Sequence, residues 1–351
     1  MILIISDRRD IHAYFVVVEL EKLGIEYGFL NGADFPTNIT MSQSIEEGAD
    51  LCTFSLEDGS VAKSSEVHAV WYRKPGLPRL HPDTGPHELE FAFGESREGL
   101  RGLYDALRHA YWISPLDNIN KASNKLRQLR TASRLGFKVP RTVYTNDPAT
   151  ARAFISSNDG GVIYKPVGDG ALFERAGRWD PGTVVGEIYT SLLDQPTIEA
   201  GISRLSACPV LFQEYIEKEV ELRVTVVGRS VFAAELDSQS HQDASVDWRR
   251  GDVLTIEHRV HELPFEVRQK CVSLVEELDL EFGAIDMIKS KDGHYVFLEI
   301  NPNGQYLWIE DMTGLKISRA IAEQLLRGHE DASRRGLPGR PHTLASLGGP
   351  A

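Results

Sequence analysis

The stretch VFLEINPNG, residues 296 to 304, decides how this chain is read. It opens with three apolar side chains and then sets Glu299 and Asn301 two positions apart. Side chains of a strand alternate between faces, so these two project to one side while Ile300 packs on the other. Two oxygen donors therefore stand together at a strand end. Taken alone, this is also how an ordinary polar strand end enters an Asn-Pro turn. Its meaning depends on its neighbours.

The nearest neighbour is Asp286, on FGAIDMIK at 282 to 289, joined to HYVFLEIN at 294 to 301 through SKDG, a sequence suited to a hairpin turn. In a tight antiparallel pair about that turn, Asp286 and Glu299 fall close to opposite each other, so Asp286, Glu299 and Asn301 share one face. Two carboxylates and an amide oxygen are hard donors that suit Mg²⁺, which takes a few carboxylates together with substrate phosphates. Without a cation the carboxylates would repel, and one would take up a proton.

Phosphates need cations and backbone N–H groups. Lys165 leaves a strand whose preceding residues Val162, Ile163 and Tyr164 are apolar, and burying its charge unpaired is expensive. Just beyond it, GDGA supplies Gly168 and Gly170, whose backbone can approach an anion closely. Lys125 offers a second cation. Each signal has a plain alternative, a surface lysine or a simple turn. FQEYIEKEVELRV, 212 to 224, runs strand to strand through a polar junction, whose backbone can meet an adenine edge while Glu221 bonds a ribose. The alternative there is a salt-bridged strand pair.

With 351 residues and 42% hydrophobic content, the chain is long enough for two or three globular units. No run approaches the roughly 20 apolar residues of a membrane span, and MILIISDRRD lacks a basic n-region and cleavage site, so a cytoplasmic protein without membrane association is expected. Cys52, Cys208 and Cys271 are scattered and suggest neither a disulfide framework nor a zinc site. A net charge of −13, from 51 acidic and 38 basic residues, argues against nucleic-acid binding yet leaves room for one basic nucleotide pocket.

MILIIS, a helical pattern over 11 to 23 and IEYGFL make a βαβ opening. HAVWYRKP adds a buried strand, a Pro/Gly-rich loop comes next, and a helix over 88 to 110 completes an open α/β domain of residues 1–115. A basic helix in NINKASNKLRQLRTASRLGFKVP then precedes strand TVYTND, a helix over 147 to 157 and strand GVIYKPV, giving a unit of 116–207. Strands PVLFQEYI, ELRVTVVG and VFAAELDS (the last two turning at 228 to 229), a short strand near 253 to 258, a helix over 264 to 279, the hairpin and a helix over 314 to 328 make a third unit, 208–328. Residues 329–351 read as a mobile tail.

In this order, Lys125 in NKLRQL, Lys165 in IYKPVGDGA, QEYI, Glu221-x-Arg223, Asp286 and LEINPNG resemble the ATP-grasp superfamily. The resemblance implies an α/β (α+β) ATP-grasp fold over about 115 to 328, behind an N-terminal pre-ATP-grasp domain. It further implies that Lys125 and Lys165 hold phosphates, Gly168 and Gly170 form a phosphate lid, Glu214, Tyr215 and Ile216 meet adenine, and Glu221 binds ribose. Asp286, Glu299 and Asn301 would hold Mg²⁺, with ATP and Mg²⁺ as cofactors. Within the superfamily, LNGADFP at 30 to 36, WYRKP at 71 to 75, DWR at 247 to 249 and NPNGQYLWIE resemble the graspetide, or microviridin-type, peptide maturases.

That likeness implies a ligase that converts an acidic side chain of a precursor peptide, leader plus core, to an acyl phosphate and closes an ester or amide ring. Arg223 and Arg249 are then candidates to steady the γ-phosphate and the acyl intermediate, since a guanidinium matches planar oxyanions. For a lysine nucleophile the sequence names no general base, and Asp247 is only a guess. SQSHQDASVDWRR, with Trp248 and Trp308, could border a peptide groove, though both tryptophans also read as core. A homodimer is compatible with the apolar N-terminal domain. The competing readings are a ligase that adds amino acids to a carboxylate and an ATP-binding module without chemistry.

Overall fold

The computed structural model describes residues 1–47, 49–168, 170–174, 183–240, 246–251 and 255–334. The chain divides into two compact units, one of Met1–Asp7, Gly24–Trp112 and Leu325 onward, the other of Arg8–Leu23 and Ile113–Gln324. The expected tail from 329 starts too early, because the last helix runs Ile317–Arg334, and residues 335–351 lie outside the described residues.

The first unit is built on a sheet in the order Tyr27–Leu30, Ile2–Ile5, Ala69–Tyr72, Tyr111–Ile113, with Ile2–Ile5 parallel to the strands on both sides. Four successive isoleucine and leucine side chains of Ile2–Ile5 are fully buried, as expected of a central parallel strand covered on both faces. Asn31 Oδ1 accepts the N–H groups of Ala33 at 3.2 Å and Gly76 at 2.9 Å, which joins the LNGADFP and WYRKP loops. An antiparallel meander of Met41–Glu46, Ala49–Ser55 and Val61–Lys63 was not anticipated. Among its described residues, Cys52, Phe54 and Ala62 are buried in the core and Met41 packs partly against it, too few apolar positions to reveal alternation in so polar a stretch.

In the second unit a four-stranded sheet has the order Ser191–Leu192, Val162–Lys165, Val210–Glu214, Thr142–Thr145. A five-stranded antiparallel sheet has the order His258–Val260, Ser230–Leu236, Lys218–Val227, Phe282–Ser290, Tyr295–Asn301. A separate ribbon pairs Ala171–Glu174 with Thr183–Glu187. The ribbon and a helix at Gln195–Gly201 were not foreseen, and part of the short strand expected near 253 to 258 lies outside the described residues.

Two departures from expectation shape the site. The single basic helix is in fact two, Leu116–Ala122 and Lys125–Arg134, because Asn124 caps the second by accepting the Arg127 N–H at 3.0 Å. Lys125 thereby becomes the first residue of a helix. In the hairpin, Met287 pairs with Phe297 but Asp286 pairs with Glu299, so Leu298 is an extra, bulged residue. Without the bulge Leu298 would stand opposite Asp286, and Glu299 would turn to the packed face. The local irregularity is what brings the two carboxylates together.

Candidate active site

Four structural elements deliver cations to one place. Lys125 Nζ lies 3.2 Å from Glu299 Oε2 and also donates to the carbonyls of Pro166 at 3.0 Å and Gly168 at 3.2 Å. Lys165, at the end of its strand, is 6% exposed. Burial lowers its pKa, while Glu299 pulls it the other way and Lys125 and Arg249 press it further down. Arg249 Nη1 is 3.9 Å from Glu299 Oε1. Arg223 Nη1 donates to Asp286 Oδ1 at 2.7 Å, and its Nη2 donates to the Gln305 carbonyl at 2.8 Å.

Glu299 is largely buried; burial pushes its carboxyl up, but Lys125, Lys165 and Arg249 together outweigh this and hold it below its usual value. Asp286 goes the other way, because burial and the Glu299 charge prevail over Arg223. Four cations thus face two carboxylates, and three when Asp247 is counted with Arg249. Positive charge is left over in a chain of net charge −13. Such an excess in a low-dielectric setting is suited to a polyphosphate.

Asn301 aligns with Ala284, next to the Asp286–Glu299 pair, and its Oδ1 accepts the Asn303 N–H at 3.1 Å. Gly304 has to be small, since a Cβ there would come within 2.6 Å of the Ala284 Cβ and 3.0 Å of Arg223 Nη2. The oxygen-only set of Asp286, Glu299 and Asn301 fits Mg²⁺ better than zinc. Among the described residues, no group of three or more His, Cys, Asp or Glu is gathered for a metal. A cation held here therefore needs phosphate oxygens to complete its shell.

At the QEYI junction, the Glu214 and Tyr215 N–H groups are spent on the carbonyls of Arg141 and Gly161, both at 3.0 Å. The Glu214 side chain accepts the Arg141 N–H at 2.9 Å. Among the described residues, the Ile216 N–H has no such partner, so of the three it is best placed to meet a base. Glu221 is 7% exposed, takes Lys218 Nζ at 2.5 Å and accepts the Ser238 hydroxyl at 2.8 Å on the same Oε1. Gly170 has φ +81°, and a Cβ there would sit 2.6 Å from the Ile188 carbonyl; Gly168 has open space around it.

Asp247 does not fit the part of a base. It is 5% exposed, both its oxygens are engaged by Arg249 at 2.9 and 2.8 Å, and its pKa is held below the usual value because these bonds overcome burial. Trp248 and Trp308 are half-buried and stack on each other, ring centres 5.0 Å apart, so neither is a core residue. Residues 241–245 of the segment expected to border a groove lie outside the described residues.

Gln128 was missed by sequence reasoning. It is 2% exposed, its Nε2 donates to the carbonyls of Ala122 and Ile300, each at 2.7 Å, and its Oε1 accepts the Ile300 N–H at 3.1 Å. It clamps the backbone between Glu299 and Asn301. A polar residue one helical turn from Lys125 on an otherwise inward face was the available signal.

The MvdD pre-ATP-grasp domain family matches residues 1–120 and the RimK-like ATP-grasp domain family matches residues 122–325. The chain belongs to the ATP-grasp ligases. Among solved structures, it is similar to a Chryseobacterium gregarium RiPP-associated ATP-grasp ligase in complex with ADP and a leader and core peptide, at 30% identity over 93% of this chain and 96% of that one, with a TM-score of 0.84. It is also similar to the macrocyclases MdnC, bound with precursor peptide MdnA (28% identity, TM-score 0.78, 93% of this chain and 99% of that one), and MdnB (31%, 0.73, 93% and 98%), both from Microcystis aeruginosa MRC. A probable alpha-L-glutamate ligase of Vibrio parahaemolyticus is 25% identical over 62% of this chain and 67% of its own length. One of Enterobacter is 27% identical over 57% and 62%. The chain thus spans about two thirds of the length of these curated relatives. No described helix is long and apolar enough to cross a membrane.

Proposed function

We propose that this chain activates an acidic side chain of a ribosomal precursor peptide with ATP and closes an ester or amide bond within that peptide. The observation that carries the reading is the set of four cations, Lys125, Lys165, Arg223 and Arg249, around Asp286, Glu299 and Asn301. The structural likeness to ligases solved with leader and core peptides supports the substrate class.

A substrate carboxylate oxygen attacks the γ-phosphorus, the bond to the β-phosphate oxygen breaks, and ADP leaves. A hydroxyl or amine of the same peptide then attacks the acyl carbon, the acyl–oxygen bond to the phosphate breaks, and the nucleophile's proton leaves with the departing phosphate. Lys125 and Lys165 neutralise the polyphosphate, and Lys125 fixes the Gly168 loop above it. Arg249, whose guanidinium reaches toward Glu299, meets the transferred phosphoryl group and the acyl phosphate. Arg223 is committed to Asp286 and the Gln305 carbonyl, so its part is to hold that carboxylate in place. Asp286, Glu299 and Asn301 would hold Mg²⁺, which offsets phosphate charge when bound. In such phosphoryl transfer, placement and electrostatics supply most of the catalysis. The exposed apolar ribbon, with Leu172, Phe173, Val184 and Val185, offers an extended chain a place to bind.

The test is mass spectrometry of candidate acid-rich precursor peptides after incubation with this chain, ATP and magnesium. Loss of one water per ring is expected. A second reading, amino-acid addition, draws on the glutamate-ligase relatives and would appear as a gain of residue mass. ADP release with an unaltered peptide would overturn both.

A further inference from the structure

The exit of the ribbon is tied to the turn that carries Arg249. At the ribbon base, the Ile188 N–H donates to the Gly170 carbonyl at 2.9 Å. Two residues on, Thr190, 9% exposed, donates its N–H to Asp247 Oδ2 at 3.2 Å. The same carboxylate accepts from Arg249 Nε and Nη2, and from the Arg249 backbone N–H at 3.2 Å. Arg250 grips the residues on either side, its guanidinium 5.7 Å from the Tyr189 ring centre and bonded to the Ser191 hydroxyl. One buried carboxylate therefore fixes both the ribbon exit and the guanidinium that faces Glu299.

We propose that Asp247 is a positioning residue that couples the ribbon to Arg249, so that polyphosphate on the cation cluster and order in the ribbon strengthen each other. This rests on the ligase reading for the role of Arg249. Oδ2 accepts from both Thr190 and Arg249, so the carboxylate cannot shift without disturbing both attachments, and shared attachment gives each end a stake in the other's position. Coupling between two such sites is reciprocal: whatever tightens the ribbon when nucleotide binds must tighten nucleotide when the ribbon is ordered. A purely local anchor for the 246–251 turn would lower stability when removed and leave no such reciprocity.

The full chain is studied with Mg·AMPPNP as probe, using hydrogen exchange over residues 183–192 and calorimetry for binding. In the unaltered protein the nucleotide is expected to slow exchange at the Thr190 amide about tenfold. Asp247→Asn keeps an oxygen for Thr190 but loses the charge that gathers the guanidinium; slowing should fall to about twofold or less. Arg250→Ala, at a side chain that holds Tyr189 and Ser191 of the ribbon exit, should speed exchange at 189–191 and weaken Mg·AMPPNP binding about threefold to tenfold. Thermal melts identify any variant that fails to fold. Undiminished slowing in Asp247→Asn, or an unaltered Kd in Arg250→Ala, overturns the coupling alone. Absence of Mg·AMPPNP binding to the unaltered protein overturns the ligase reading and the coupling with it.

Discussion

The five-stranded sheet and the two-stranded ribbon are both apolar β-structure, yet they are finished differently. In the sheet, strand Lys218–Val227 is buried at all but two positions, and its charged side chains at 218, 221 and 223 each have an opposite charge within 2.7 Å. In the ribbon, Leu172, Phe173, Val184 and Val185 stay 49%, 40%, 52% and 60% exposed. The first is preorganised before any ligand arrives, which is what charge stabilisation at a phosphate requires. The second leaves apolar area uncovered, which suits a partner chain that changes sequence from one part to the next.

The contrast is broken most severely on the sheet side. Glu299→Gln should lower the rate of ADP release on the order of 10³-fold and, by leaving Lys125, Lys165 and Arg249 without their shared carboxylate, also lower the melting temperature, checked by coupled assay and calorimetry. Lys218→Met strands the Glu221 charge in a buried place and should cost about 3–5 kcal/mol in denaturant titration, whereas replacing both partners with apolar residues should restore much of it. At the ribbon base, Gly170→Ala forces a positive φ and a clash with the Ile188 carbonyl, an expected loss of about 1–3 kcal/mol, while Gly168→Ala should fold like the parent. Val185→Ser sharpens the comparison from the other side. It should alter stability by no more than about 0.5 kcal/mol while weakening peptide capture, read by fluorescence anisotropy.

The ribbon's tie to Asp247 also has a pH signature. A carboxyl whose folded pKa lies below its unfolded value contributes stability above the unfolded value and loses it as pH falls through the folded one. Proteolytic nicking in the ribbon should therefore be flat from about pH 5 to 9 and rise only in stronger acid. A rise near neutrality would point to a histidine instead.

The gathering of Asp286, Glu299 and Asn301 was legible in the sequence because these residues sit on regular elements at countable spacings. Period-two alternation placed Glu299 and Asn301 together, and a hairpin turn brought Asp286 near them. Positions that depend on irregularity or on distant partners were not legible. No spacing rule shows that Leu298 bulges, that Asn124 interrupts a helix, or that Gln128 crosses to Ile300, 172 positions away. Asp247 misled for a related reason, since a carboxylate in DWR looks free until the Thr190 amide and the bidentate Arg249 are seen on it. The meander over Met41–Ser55 and the ribbon went unseen because each carries too little buried apolar surface to stand out.

Leu298 also bears on how such proteins diverge. Since one surplus residue sets which way the next three side chains face, deleting it would turn Glu299 and Asn301 to the packed face while both codons stayed intact. Relatives that align with a one-residue gap at that column should accordingly be suspected of lost chemistry even when their acidic residues are all present.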